Sequence, residues 1–226
     1  LKDERGAPAY NVQISTSNQF IVHASMHQNT NDSVAFIPHI AAQSTRLEQL
    51  GFAQIAEVTA DAGYGSEENY HYCVTNSTTA YIKFPLWYQE VSGALVKQEY
   101  RSENWQYTQS EDCYVCPQGR KLTFKKAEAE TSKNGYQRTV RKYECESCAN
   151  CPVFKECRGE NAAINSNRTV QRSEQMEMYK QEARERLATE RGKEKRSQRS
   201  VDVETPFGSI KYNMRHQRFI LRGIES

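Results

Sequence analysis

Two groups of residues in this 226-residue chain have the types and spacing to do chemistry: a set of cysteines and a pair of carboxylates. Six of the seven cysteines, Cys113, Cys116, Cys145, Cys148, Cys151 and Cys157, spell C-x2-C, a gap of 28 residues, then C-x2-C-x2-C-x5-C. A tight C-x2-C turn lets two thiolates reach one ion, at about 2.3 Å for zinc. A bound metal also staples a segment too poor in apolar residues to fold alone. The spacing therefore predicts structural Zn2+ held by four of the six thiols, without deciding which four. An iron–sulfur cluster, disulfides and free thiols are the competing readings. Cys73 stands alone in a predicted helix and reads as a buried apolar side chain.

The carboxylates are Asp61 and Glu204. Asp61 closes a predicted strand and precedes Ala-Gly-Tyr-Gly. Open α/β sheets place ligands beyond the carboxyl ends of their strands, and glycine lets backbone or substrate come close. Glu204 lies in Val-Glu-Thr-Pro-Phe-Gly-Ser-Ile-Lys. Lys211 follows seven residues later, nearly two helical turns, so the two can share a face. Each has a plainer reading, an Asx-turn aspartate for the first and a helix acid with an exposed lysine for the second.

Charge sharpens the picture. The formal net charge is +2, but residues 1–100 carry −5, residues 101–165 carry +2 and residues 166–226 carry +5. The densest basic stretch is Arg191, Lys193, Lys195, Arg196 and Arg199, broken by Glu194. Such a cluster suits a polyanion, because each neutralised phosphate releases a condensed counterion; a solvated helix face is the plainer reading. Ile, Leu, Val and Phe number 39 of 226, which predicts a thin core, bulked by 13 Tyr. No apolar run approaches the ~18 residues of a membrane span, so no membrane partner is expected.

These residues need elements to hold them. Ala9–Ile14 and Phe20–Ser25 alternate as the strands of a hairpin. Asn31-Asp32-Ser33 opens a helix that Gly51 closes. Ile55–Ala60 is a strand, Ser66 caps a short helix, and Thr79–Phe84 is a strand stopped by Pro85. The order β-β-α-β-α-β implies an α/β layer fold. Residues 86–165 show no sustained period. One helix is predicted from Ser173 to about Arg199, and Phe207, Ile210, Met214, Ile220 and Leu221 are candidate core residues beyond it. The expected division is 1–85, 86–165 and 166–226.

Four blocks carry a resemblance: Pro8-Ala-Tyr-Asn-Val-Gln13; Ala60-Asp-Ala-Gly-Tyr-Gly-Ser-Glu-Glu-Asn-Tyr70; Cys116-Pro-Gln-Gly with Cys145, Cys148, Cys151 and Cys157; and Arg199 through Lys211, running on to Arg218-Phe-Ile-Leu-Arg-Gly223. Together they resemble the C-terminal part of a bacterial insertion-sequence transposase of the DDE type, in the branch with a cysteine-rich insertion. The resemblance implies an RNase H-like core with its first strand missing here, a cysteine-rich zinc-binding insertion and C-terminal helices that complete the core. It implies that Asp61 is the second catalytic carboxylate and Glu204 the third, with the first on a strand upstream of Leu1. Asp32 is read as capping a helix at the far end of the hairpin. The family's tyrosine-arginine-glutamate-lysine signature is only partly present: Glu204 and Lys211 keep its spacing, Arg199 is one residue off, and its tyrosine has no match.

The implied reaction is DNA strand cleavage followed by strand transfer, both in-line displacements at phosphorus that two metal ions can assist. Mg2+ (or Mn2+) would sit on the carboxylates, since these hard cations take oxygen ligands. Lys195, Arg196, Arg199 and Lys211 would contact DNA, the transposon ends and the target. A homodimer is a candidate assembly, and a bacterial cytoplasmic, nucleoid-associated location is expected. The chain alone would be inactive without the first Asp. The alternative is a non-catalytic, zinc-dependent DNA-binding fragment.

Overall fold

The computed structural model describes residues 10–163 and 166–215, without the side chains of Phe207 and Lys211. Mixed α/β structure forms two compact units, Leu1–Pro85 with Tyr179–Ser226, and Leu86–Met178. The predicted core residues Ile220 and Leu221 lie outside the described residues.

In the first unit, β1 (Asn11–Ser17) and β2 (Phe20–His27) pair antiparallel. Asn18 and Gln19 both have positive φ, 49° and 69°, the conformation whose twist matches a two-residue hairpin turn. Helix α1 (Asp32–Gln49) begins where the Asn31 side chain accepts from the Ser33 N–H at 3.0 Å. It buries Ala35, Phe36, His39 and Ile40, one helical stripe. Strand β3 (Glu57–Ala60) leads through a 3-10 turn, Ala62–Tyr64, into α2 (Glu67–Thr75), and β4 (Thr79–Ile82) runs parallel to β3. The β-β-α-β-α-β order is therefore present.

The four strands do not join. Among the described residues β1 pairs only with β2, and β3 only with β4, as two separate two-stranded sheets. Two later helices support them. Helix α5 (Glu174–Ala188) buries Tyr179, Ala183 and Leu187 at four-residue spacing, and its Arg186 donates to the Ala80 carbonyl at 3.0 Å. Helix α6 (Glu190–Gly208) packs on β1 as well as on β3 and β4. The single predicted helix is thus two. Thr189 is extended, and its hydroxyl oxygen accepts from the Gly192 N–H at 3.0 Å to start α6. A Cβ on Gly192 would lie 2.2 Å from the Arg186 carbonyl oxygen, so this tight junction requires glycine. A π turn (Ser209–Asn213) follows α6. Met214 is exposed rather than core.

The second unit departs most from expectation. Where no regular structure is predicted, a short helix α3 (Trp87–Val91) precedes a five-stranded antiparallel sheet, with a further short helix α4 (Phe154–Arg158). The strands are β5 (Gln106–Thr108), β6 (Cys113–Val115), β7 (Lys121–Thr131), β8 (Gln137–Cys145) and β9 (Thr169–Arg172), in that order. Because β9 pairs with β8 through Val170 and Tyr143, this unit extends to Met178 instead of ending at 165. Its core is aromatic: Trp105, Tyr114 and Tyr143 pack with Leu122 and Val170. Asp112 ties the rings down. It accepts from Tyr107 Oη at 2.8 Å and Tyr143 Oη at 2.7 Å, and Arg141 donates to its other oxygen at 2.5 Å.

Candidate functional site

Asp61 stands directly after β3. Its Oδ1 accepts from the Ala62 N–H at 2.8 Å, which starts the 3-10 turn. Two cations flank it without reaching hydrogen-bond distance: Lys83 Nζ is 3.9 Å from Oδ1 and Arg199 Nη2 is 3.6 Å from Oδ2. The Asp61 side chain is 47% exposed, whereas that of Lys83 is nearly buried. The result is a half-open carboxylate with spare lone pairs in a positive surrounding.

The turn that carries Asp61 is built tightly. A Cβ on Gly65 would lie 2.2 Å from the Lys83 carbonyl oxygen and 2.8 Å from Phe84 Cα, so the chain can approach β4 this closely only with glycine there. The Asn69 amide donates to the Tyr64 carbonyl at 2.9 Å and to the Ser33 carbonyl at 3.0 Å, joining the turn to α1. Tyr64 donates its hydroxyl proton to Gln13 Oε1. Burial, with the Asp32 charge next in weight, pushes the Tyr64 hydroxyl up to about 12.

Helix α6 lies along β3 with a matched repeat. Arg191, Lys195 and Arg199 are spaced by four residues and meet Glu57 and Asp61, also four apart: Arg191–Glu57 at 2.7 Å, Lys195–Glu57 at 3.1 Å and Arg199–Asp61 at 3.6 Å. Eight helical residues rise about 12 Å and four strand steps about 13 Å, so the two ladders stay in step. The hydrogen bond from Arg191, followed in weight by Lys195, holds the Glu57 carboxyl below its ordinary range. Of the four basic residues expected to meet DNA, Lys195 and Arg199 are thus engaged within the unit. Arg196 donates to the Gly192 carbonyl at 3.3 Å, and the Lys211 side chain lies outside the described residues.

The structure does not bring Glu204 to Asp61. Glu204 is exposed near the end of α6, about 140° around the helix from Arg199 at five residues' separation. Pro206 lies inside the same helix, and a π turn follows the helix end. Asp202, two residues before Glu204, instead lines a cavity of about 470 Å³ with Glu57, Thr59, Lys195 and Arg199. Thr16 and Ser17 of β1 also line it, so β1, β3 and α6 share the cavity.

Asp32 is placed differently from expectation. Asn31 is the cap, and the Asp32 Oδ1 accepts from Asn11 Nδ2 at 2.8 Å and Gln13 Nε2 at 3.3 Å. Asp32 and Asp61 both act on the Tyr64 hydroxyl, so the hairpin end of α1 is beside the Asp61 turn, not remote from it. Asn11, Gln13, Tyr64 and Lys83 were not singled out by sequence reasoning. The signal of the first three was available only as the motifs they belong to, Tyr-Asn-Val-Gln and Asp-Ala-Gly-Tyr-Gly; Lys83 carried none.

The six cysteines are not one set. All seven cysteines are free thiols. Cys145 and Cys148 are buried in the aromatic core, with Cys116 and Cys157 packed against it. Burial first, then Cys148 and Cys116, push the Cys145 thiol up to about 12. Cys113 is elsewhere: its neighbours are Glu111, Asp112 and Lys121, with its Sγ 3.7 Å from Glu111. Among the described residues no group of three or more His, Cys, Asp or Glu is arranged to hold a metal ion. Four of the thiols thus lie in or against the aromatic core of this unit. Cys73 is buried, and burial pushes its thiol up to about 12, as an apolar role requires. No helix among the described residues is long and apolar enough to cross a membrane.

Residues 115–226 match the family model described as Transposase DDE domain. The match takes in 112 of the 226 residues, just under half. It includes Cys116, Cys145, Cys148, Cys151, Cys157, Glu204 and Lys211, stops short of Asp61 and Cys113, and supports a DDE transposase that acts on DNA. No curated protein and no solved structure matches the chain.

Proposed function

We propose that this chain is the catalytic part of an insertion-sequence transposase that cuts DNA strands and transfers them, with Asp61 as one of its carboxylates. The match of residues 115–226 to the transposase DDE domain carries the reading. An independent feature supports it: a half-open carboxylate at the carboxyl end of a parallel strand, where open α/β folds bind ligands.

In this reading the core is RNase H-like, with room for a further strand between β1 and β3. Two half-sheets that share a cavity, and one helix spanning both, support that placement. Such a strand would end beside Asp61 and bring the first Asp there. Enzymes of this family normally use a divalent metal. Two cations lie close to Asp61 and no group of three or more possible ligands is arranged there among the described residues, so these do not by themselves fit a metal pair. Glu204 would have to turn toward Asp61 to join it. Arg199 is placed to neutralise Asp61, or a phosphate that approaches it. Phosphate contacts elsewhere fall to Arg196 and Lys211, while Lys195 braces β3.

Zinc in the insertion narrows, in the same reading, to Cys116, Cys145, Cys148 and Cys157. These are the thiols that share the core of the second unit, and the Arg168 N–H already donates to Cys148 Sγ at 3.2 Å. Well under one zinc per chain after purification without chelator removes this element. The central test is cleavage of transposon-end DNA by the full-length protein with Mg2+, scored separately for nicking and joining. Asp61→Asn is expected to abolish both; nicking that survives it sinks the proposal, and nicking without joining makes the protein a nuclease.

A further inference from the structure

We infer that Asp32 is a positioning residue for Asp61, acting through Gln13 and Tyr64; the inference deepens the proposed reaction and rests on it. The chain of contacts is continuous. Asp32 Oδ1 accepts from Asn11 Nδ2 at 2.8 Å and from Gln13 Nε2 at 3.3 Å, and Gln13 Nε2 also donates to Asn11 Oδ1 at 2.7 Å. These bonds orient the Gln13 amide so that its oxygen faces Tyr64, whose hydroxyl donates to it. Gln13 is buried, and a buried amide left without partners is costly, so its orientation is set by its bonds. Tyr64 ends the 3-10 turn that Asp61 begins, and its N–H donates to the Asp61 carbonyl at 3.0 Å. Phe36 packs beside the Tyr64 ring with centroids 5.9 Å apart. A Cβ on Gly63 would lie 3.5 Å from Asp32 Oδ2, so Asp32 also lies against the turn's backbone.

Asp32 is therefore the acceptor at the root of the frame. Without it Asn11 and Gln13 lose a shared partner, Gln13 is held only by Asn11 and Tyr64, and the acceptor of Tyr64 is less firmly fixed. Groups that orient a ligating or reacting side chain typically change activity by 10–100-fold.

In the full-length protein, Asp32→Ala is expected to lower kcat for strand cleavage 10–100-fold with KM for DNA little changed. Asp32→Asn keeps an acceptor oxygen and is expected to lose less than Asp32→Ala; Tyr64→Phe should resemble Asp32→Ala. Amide exchange supplies a readout independent of activity. The Tyr64 and Gly65 amides should exchange at least tenfold faster in Asp32→Ala and Tyr64→Phe, while those of the second unit do not change. Unchanged exchange at Tyr64 and Gly65 overturns the inference. So does an Asp32→Asn loss as complete as that of Asp61→Asn, which would make Asp32 a participant rather than a positioner. If Asp61→Asn leaves cleavage intact, the proposed function fails, and exchange still decides whether Asp32 holds the turn.

Discussion

Asp61 in the first unit and Asp112 in the second are both partly exposed carboxylates near arginine, yet their surroundings are built to different ends. Asp112 accepts from two tyrosine hydroxyls and one guanidinium, at 2.5–2.8 Å. Asp61 accepts one backbone N–H, and its two cations stay at 3.6 and 3.9 Å. A carboxylate whose lone pairs are filled by its own unit holds a fold together; one with lone pairs to spare can take a ligand. The same contrast runs through the sheets. The second unit is one continuous antiparallel sheet of five strands, while the first has two strand pairs that do not join.

The comparison breaks most easily at the two aspartates. Asp61→Asn is expected to reduce cleavage by a factor on the order of 10³ or more with little change in melting temperature. Asp112→Asn should do the reverse, since it weakens three charge-assisted hydrogen bonds, each contributing roughly 1.5–3 kcal/mol. Activity per folded molecule should survive it. If Asp112→Asn silences cleavage while the protein stays folded, the division of labour is wrong.

Tyr143→Ala sharpens the structural half. Tyr143 is fully buried, with Tyr107, Tyr114 and Phe124 rings against it at centroid distances of 5.2–6.0 Å. Removing it should cost about 3–5 kcal/mol, read by denaturant unfolding. Amide exchange should quicken in β7 and β8 and not in α1.

The pH response should separate the units. All five histidines lie outside Leu86–Met178. His39 is held down at about 4, first by burial and then by His23 and His27; Ser15 and Ser25 hydroxyls sit on its two ring nitrogens at 2.7 and 2.6 Å. Below pH ~6.5 the unfolded chain protonates this histidine and the folded one does not. Stability contributed by neutral His39 is thus complete above pH 6.5 and is lost as pH falls toward 4, a loss on the order of 3 kcal/mol. In the second unit Asp112 and Glu128 have depressed values, set first by Tyr143 and by Lys126 respectively. Their contribution persists until pH falls below the ordinary carboxylate range. Unfolding monitored by amide exchange at pH 5 should show the first unit weakened and the second unchanged; equal weakening removes His39 as the cause.

The first unit was more legible in the sequence than the second, for local reasons. Its elements announce themselves by caps: Asn31 and Ser66 begin helices and Gly51 follows one. The second unit hides its strands because β7, Lys-Leu-Thr-Phe-Lys-Lys-Ala-Glu-Ala-Glu-Thr, is exposed over most of its length and buries little beyond Leu122. Its order comes from cross-strand pairing between distant segments, which no local pattern displays. Spacing likewise does not show that Cys113 lies beside Glu111 and Lys121 while Cys116 packs against the core. At the site, Asp61 was readable from its strand end and glycines. Asp32, Gln13 and Lys83 were not, because their partners lie between 19 and 51 residues away.

The smallest expected effect bears on the basic face of α6. Five cations within nine residues read as a surface for a polyanion, but the four-residue ladder turns Arg191 and Lys195 toward Glu57. Lys195→Gln leaves the Arg191–Glu57 pair in place, so it should cost no more than the 0.2–1 kcal/mol of an exposed ion pair, roughly. The decisive measurement is the salt dependence of DNA binding. A lysine on a phosphate contributes about 0.9 to the slope of log affinity against log salt, and one occupied by Glu57 contributes almost nothing. Arg196→Gln should therefore lower the slope and Lys195→Gln should not. A full unit lost with Lys195→Gln would mean that α6 leaves β3 when DNA binds, and that the ladder is a resting contact instead of a brace.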